Sequence, residues 1–340
     1  MKAMLLNRLG ALEQNATPLE LVNLPAPVPR KNEMLIKVSA CGICHTELDE
    51  IEGRMPLNLP VVLGHQVVGR VEKAAAKSAF KIGDRVGVAW IHAACGACKF
   101  CLAGSENLCP HFRATGRDVN GGYAEYMTVA ADFAYRIPEI FTDAEAAPLL
   151  CAGAIGYRSL RLAGWRDGEN LGLTGFGASA HLVLKLARQQ YPRANIFVFA
   201  RSEQERNFAQ ELGAVWAGDA EAEAPEKLDA IIDTTPAWKP VLAALKNLAP
   251  GGRLVINAIR KDETDKASLL QLDYPGHLWL EKKIKSVANV TRQDVREFLT
   301  LAAQISLKPD MQEFPLEEAN IALRELKARK IRGAKILRMA

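Results

Sequence analysis

Between residues 154 and 290, short apolar runs alternate with stretches of helical periodicity, and that alternation leaves little choice of architecture. The runs are Asn170–Thr174, Asn195–Phe199, Val215–Ala217, Ala230–Asp233, Leu254–Ala258 and Ile284–Ala288. Ser179–Gln190, Gln204–Leu212 and Pro240–Leu248 read as the helices between them, and Gly251-Gly252 reads as the stop of the last one. Strands joined through helices run parallel with helices on both faces. The stretch is therefore predicted to be an α/β Rossmann-type, doubly wound parallel sheet.

The loop Gly175-Phe176-Gly177-Ala178-Ser179-Ala180 follows one of those strands and opens a helix. Gly175 permits the tight turn, and Gly177 lets the backbone approach a pyrophosphate. Ala180 is small enough for close packing of helix on strand. The free N–H groups of the helix start then face the phosphates, so the loop predicts dinucleotide binding. The next strand ends Phe199-Ala200-Arg201-Ser202, with Ala200 where an NAD site carries an acid for the ribose 2′-hydroxyl. A guanidinium and a hydroxyl suit a 2′-phosphate, which favours NADP(H) over NAD(H). The competing reading is that Arg201 only covers the adenine.

The first 150 residues read differently. Pro25, Pro27 and Pro29 exclude a helix near the start. Short strands punctuated by Gly, among them those around Gly64, Gly69, Gly83 and Gly121-Gly122, predict a small β-barrel. Cys95, Cys98, Cys101 and Cys109 interrupt it, and four thiolates so spaced suit an enclosed, structural zinc site. An iron–sulfur cluster would share the first half of that spacing, but no second cluster motif follows. The early Lys2 is followed by no long apolar core, so no secretory signal is read and the cytoplasm is the default. There, cysteines serve metals or chemistry rather than disulfides. A net charge of +4 with interspersed signs gives no case for nucleic acid, and no apolar run is long enough to span a membrane. Three cysteines remain, Cys41, Cys44 and Cys151, together with His65 in Gly64-His65-Gln66, and a lone histidine in a strand is more often structural than a ligand.

These segments resemble the zinc-containing medium-chain alcohol dehydrogenases, with bacterial and cinnamyl-alcohol-dehydrogenase-like enzymes nearest. The similarity runs through Cys41-Gly-Ile-Cys44-His45-Thr46-Glu47-Leu48, Gly64-His65-Gln66, Gly83-Asp84-Arg85-Val and the four-cysteine loop. It continues through Gly121-Gly-Tyr-Ala-Glu125-Tyr, Cys151-Ala-Gly and the Gly175 loop, in the family's order and over nearly the whole chain. The resemblance implies a GroES-like catalytic domain over 1–153 with its structural-zinc loop at 95–109. It also implies a Rossmann coenzyme domain over 154–291 and a return to the first domain over 292–340.

It further implies two zinc ions per chain, the catalytic one held by Cys44, His65 and Cys151 with Cys41 left out. His45 and Arg292 would reach coenzyme phosphates. Thr46 would link the alcohol to the ribose, with Asp49 at the end of the proton relay. Met55, Trp90, Ile91 and Tyr123 would line the substrate cleft, though large apolar residues are buried as core just as readily. The implied partners are a small alcohol or aldehyde and further copies of the chain, as a homodimer or homotetramer. The chain departs from the family at three places: Gln66 for the usual Glu, Glu47 for Asp, and Asp49 for the relay His. The rival functions are a zinc-free quinone or enoyl reductase of the same fold, which would lack the triad, and a non-catalytic zinc and nucleotide binder.

Overall fold

The alternation after Cys151 becomes a six-stranded sheet in the computed structural model, which describes residues 1–339. Its order is Trp216–Gly218, Asn195–Phe199, Asn170–Thr174, Leu228–Asp233, Leu248–Ile256 and Lys283–Ser286, and every neighbouring pair is parallel. The chain starts at Asn170–Thr174, moves outward on one side, then returns to build the other. That reversal leaves a crevice at the carboxyl end of Asn170–Thr174, where Gly175 lies. Gly175 has φ +80°, and a Cβ there would meet the Thr234 hydroxyl at 2.8 Å, so the turn takes glycine alone. This unit is Ala152–Val290.

One expectation is corrected here. Gly251-Gly252 does not stop a helix. The helix Lys239–Asn247 ends earlier, where the Asn247 side chain accepts from Ala224 N at 2.8 Å and donates to the Ala222 carbonyl at 3.0 Å. The glycine pair lies inside the strand Leu248–Ile256. There the ladder skips from Leu248 to Arg253 while the partner strand advances only from Leu228 to Ala230. Gly251 at φ +71° supplies the bend that this mismatch requires.

Met1–Cys151 and the chain from Thr291 onward make the other unit. Its main sheet runs Ala134–Arg136, Arg85–Val88, Gln66–Lys73, Glu33–Ile43, Ala334–Arg338, Met311–Pro315, with Tyr126–Ala130 also paired to Glu33–Ile43. Glu33–Ile43 organises this sheet. One edge pairs with Gln66–Lys73; the other pairs first with Tyr126–Ala130 and then, from Ala40 on, with the tail strand Ala334–Arg338. Alternate residues Met34, Ile36 and Val38 pack into a core with Met4, Leu6, Val67, Val86 and Leu337. The tail also contributes the helices Arg292–Gln304 and Ala319–Lys327, the second preceded by a tight turn at Leu316–Glu318. Among the described residues no helix is long and apolar enough to cross a membrane.

Gly64 tests how tightly this unit is packed around His65. Its φ is +97°, and a Cβ would meet the Tyr123 ring at 2.4 Å and Cys41 Sγ at 2.9 Å. Gly64→Ala is expected to cost about 2–4 kcal/mol, from backbone strain plus overpacking, seen as a lowered unfolding midpoint. An unchanged midpoint would show that the contact relaxes freely.

Candidate metal centre and coenzyme loop

The strand Glu33–Ile43 runs directly into the helix His45–Ile51, and Cys44 is the residue between them. Its extended backbone, φ −124° and ψ 164°, makes it the helix cap, and Glu47 closes the cap by accepting from Cys44 N at 2.7 Å through Oε2. The other oxygen of Glu47 lies 2.6 Å from His65 Nδ1. These two atoms are at ion-pair distance without the alignment of a straight hydrogen bond. His65 Nε2 is thereby turned the opposite way, 3.3 Å from Cys151 Sγ. Cys151 sits at the break between the turn Ala147–Leu150 and the helix Ala152–Ala163. The donor atoms of Cys44, His65 and Cys151 all lie within 4.8 Å of one another. His65 and Cys151 are buried while Cys44 is half-buried, so the cluster is open on its Cys44 side.

The electrostatics suit a dication. The neighbouring Cys151 side chain, against the cost of burial, holds the Cys44 thiol well below its ordinary value, while Cys44 and burial push the Cys151 thiol well above its own. Burial alone would lower His65, but the Glu47 carboxylate and the Cys44 thiolate outweigh it and raise it well above its usual value. A bound dication would favour the deprotonated forms of these groups, since zinc binding deprotonates thiols and takes neutral imidazole. Two sulfurs, one nitrogen and one open side form the donor set of a catalytic zinc, so the residues fit the group.

Cys41 lies outside the cluster, fully buried, with burial raising its thiol well above normal. Gln66 is buried against Gly42, where a Cβ would meet its Cδ at 2.9 Å. Thr46 Oγ1 lies 3.6 Å from Cys44 Sγ. Asp49 is buried and accepts from Arg54 Nη1 at 2.9 Å. Of the expected cleft residues, Trp90, Ile91 and Tyr123 belong to the core cluster, and Met55 packs against it half-buried. Tyr123 is 0% exposed with its hydroxyl unpartnered, so its ring presents no surface to a substrate.

The second cluster also assembles. The sulfurs of Cys95, Cys98, Cys101 and Cys109 lie within 4.8 Å of one another. Backbone N–H groups of Cys98 and His111 point at Cys95 and Cys109 sulfurs, each at 3.4 Å. Such donors pull Cys95 down to about 6, while burial pushes Cys101 up to about 12. Four sulfurs backed by N–H donors, with no open position, fit a structural zinc.

In the Gly175 loop, Gly177 caps the helix Ala178–Gln190 with no side-chain bond, and a Cβ there would meet nothing within 4 Å. That uncapped helix start and the open space beside it are a cradle for an anion. The side chains of Phe176 and Ser179 face elsewhere: Phe176 packs edge-on to Phe208 at 5.5 Å, and Ser179 Oγ donates to the Ala152 carbonyl at 2.9 Å. At the next strand end Arg201 is exposed, whereas the Ser202 hydroxyl is committed to capping Glu203–Glu211 through Glu205. His45 is exposed at the start of its helix. Arg292 Nε donates to Glu106 at 3.0 Å.

Three residues escaped the sequence reading. Arg206 donates to the carbonyls of Ala200 and Arg201 at 2.8 and 2.9 Å, placing a second cation at that strand end. Glu50 is buried with both carboxylate oxygens unpartnered, and burial beside Glu47 raises it well above the usual carboxylate range. Glu106 joins the four-cysteine loop to Arg292. An acid inside a metal loop carries a sequence signal; the other two look like ordinary helix charges.

The chain is similar to known proteins. Residues 30–139 match the alcohol dehydrogenase GroES-like domain. A probable alcohol dehydrogenase of Mycobacterium tuberculosis is 45% identical over 94% of this chain and 92% of its own length. An alcohol dehydrogenase of Geobacillus stearothermophilus is 33% identical over 94% of this chain and 96% of its own. The structure of a cinnamyl alcohol dehydrogenase from Sorghum bicolor superposes with a TM-score of 0.84 at 28% identity, covering 99% of this chain and 97% of that one. The GroES-like match falls on the unit that holds both cysteine clusters, and the remaining unit is a Rossmann sheet. The chain therefore belongs to the zinc-dependent, medium-chain alcohol dehydrogenase family.

Proposed function

We propose that this alcohol dehydrogenase reversibly oxidises primary aliphatic or aromatic alcohols to aldehydes, with NADP(H) preferred over NAD(H). The observation that carries the reading is the convergence of Cys44, His65 and Cys151 on one open point, with Thr46 beside it. Zinc, when bound, supplies the Lewis acidity that lets an alcohol lose its proton, and nicotinamide supplies the hydride acceptor. Cys44, His65 and Cys151 would hold the metal, and Glu47, 2.6 Å from His65 Nδ1, fixes the ring with Nε2 turned toward Cys151. Thr46 Oγ1 accepts the hydrogen bond of the substrate hydroxyl and passes its proton on. Asp49 is engaged by Arg54, so solvent rather than this carboxylate takes the final step. The backbone of residues 175–180 would cradle the pyrophosphate, and His45 and Arg292 would donate to coenzyme phosphates.

Arg201 and Arg206 support the coenzyme preference: two guanidinium groups, with Ala200 where an acid would repel a 2′-phosphate. Met55, half-buried, would offer the apolar side of the substrate cleft, with Trp90 and Ile91 in the core cluster behind it. We place the protein in the cytoplasm on the strength of seven unpaired cysteines, two zinc ions being the proposed use of all but Cys41.

Replacement of Cys44 by Ala is expected to lower kcat/KM for a primary alcohol by at least ~100-fold and to halve the zinc content. Oxidation at the wild-type rate would sink the reading. Arg201→Ala is expected to raise the NADP⁺ KM about tenfold while shifting that for NAD⁺ by less than ~2-fold, because a phosphate–guanidinium contact contributes about 1.4 kcal/mol. Equal effects on both coenzymes would reassign Arg201 to covering the adenine. Assembly into a dimer or tetramer is supported by the exposed edge strand Lys283–Ser286 and by exposed Leu270, Tyr274, Trp279 and Leu280. Sedimentation at the mass of a single chain would refute it.

A further inference from the structure

Glu106 lies in the four-cysteine loop between Cys101 and Cys109, on the short turn Glu106–Leu108, and is buried. Its partner is far away in sequence. Oε1 accepts from the backbone N–H of Arg292 at 2.6 Å and from Arg292 Nε at 3.0 Å. The same guanidinium lies 4.9 Å over the Phe133 ring. Arg292 is the first residue of the helix Arg292–Gln304, whose cap is already closed by Thr291 with Asp294. Glu106 therefore satisfies a further N–H of that helix start while gripping the side chain of the same residue.

How the side chain is gripped matters. Nε is engaged, and among the described residues Nη1 and Nη2 take no partner. The side chain is 31% exposed. An arginine held at Nε and at its flat face, with its two terminal nitrogens free, is a fork fixed in direction. Less rotamer freedom is then lost when an oxyanion docks.

We propose that Glu106 is a positioning residue for the coenzyme: it fixes the Arg292 fork so that Nη1 and Nη2 meet a coenzyme phosphate. The inference rests on the reading above that Arg292 contacts that phosphate. It gives the four-cysteine loop a part in coenzyme binding beyond holding its own metal. Charge alone predicts the opposite result, because a carboxylate beside the guanidinium weakens its pull on an anion.

The test is a fluorescence titration of the metal-loaded, full-length protein with NADPH, using wild type, E106A, E106D, R292A and E106A/R292A. Orientation predicts that R292A raises Kd about tenfold or more and that E106A raises it about 5-fold. E106D keeps the charge but is one methylene too short to reach Nε, and it should weaken binding as E106A does. The double variant should bind no worse than R292A, because Glu106 acts only through Arg292. Wild-type or tighter binding by E106A or E106D would overturn the proposal while leaving the role of Arg292 intact. A further loss from E106A on the R292A background would also overturn it, in favour of a structural role for Glu106. An unchanged Kd for R292A would instead remove the reading beneath the proposal. Should E106A not fold, E106D decides.

Discussion

The candidate metal centre depends on one carboxylate. Glu47 is fully buried and divides its oxygens between two tasks, capping the helix that begins after Cys44 and facing the ring of His65. One side chain thereby sets the backbone of one candidate ligand and the ring orientation of another. Burying a carboxylate is costly unless it is paired, and here both oxygens face a donor or a cation. The extra methylene relative to the aspartate seen in the resemblance is accommodated by this geometry, since the reach from the first turn of the helix to His65 is bridged at 2.6 Å. The departure at Gln66 has a steric counterpart. Its amide is seated on Gly42 in the neighbouring strand, so a neutral side chain fills that place at close quarters.

Much of the fold was legible because its signals are local. The strands Asn170–Thr174 and Asn195–Phe199 fall at their expected bounds, since apolar runs with β-branched and aromatic residues between turn signals specify strands strongly. The four-cysteine cluster was likewise readable from its spacing, whereas the set Cys44, His65 and Cys151, far apart along the chain, came only with the family resemblance. Gly251-Gly252 was misread because a glycine pair after a helix resembles a stop, whereas here it serves a ladder mismatch with a strand distant in sequence. Tyr123 shows the same limit. Its place in a family cleft was inferred by position, but its ring is enclosed by Gly64 and its neighbours.

The charged residues show most clearly why part of the site stays hidden in a sequence. Arg206 and Arg201 belong to one helix start and could be found by helical geometry once the strand end is known. The Glu106–Arg292 contact joins residues 186 positions apart, so an acid inside the four-cysteine loop can be noticed locally while its partner cannot. Asp49 illustrates the converse: its type suits a proton relay, and the structure adds Arg54, five residues on, donating to it at 2.9 Å. Residue type narrows the chemistry a site can do, and the partners decide which part of it is used.

The tail strand Ala334–Arg338 lies inside its sheet, between Glu33–Ile43 and Met311–Pro315, rather than at the edge. During synthesis the first 151 residues leave the ribosome with that position vacant, and the partner of Ala40–Ile43, directly before Cys44, arrives only after the nested unit Ala152–Val290. The nested unit Ala152–Val290 is continuous in sequence and contains all its own strands, so it is complete first. For the unit that holds both cysteine clusters, the order of birth and the order of completion are therefore reversed.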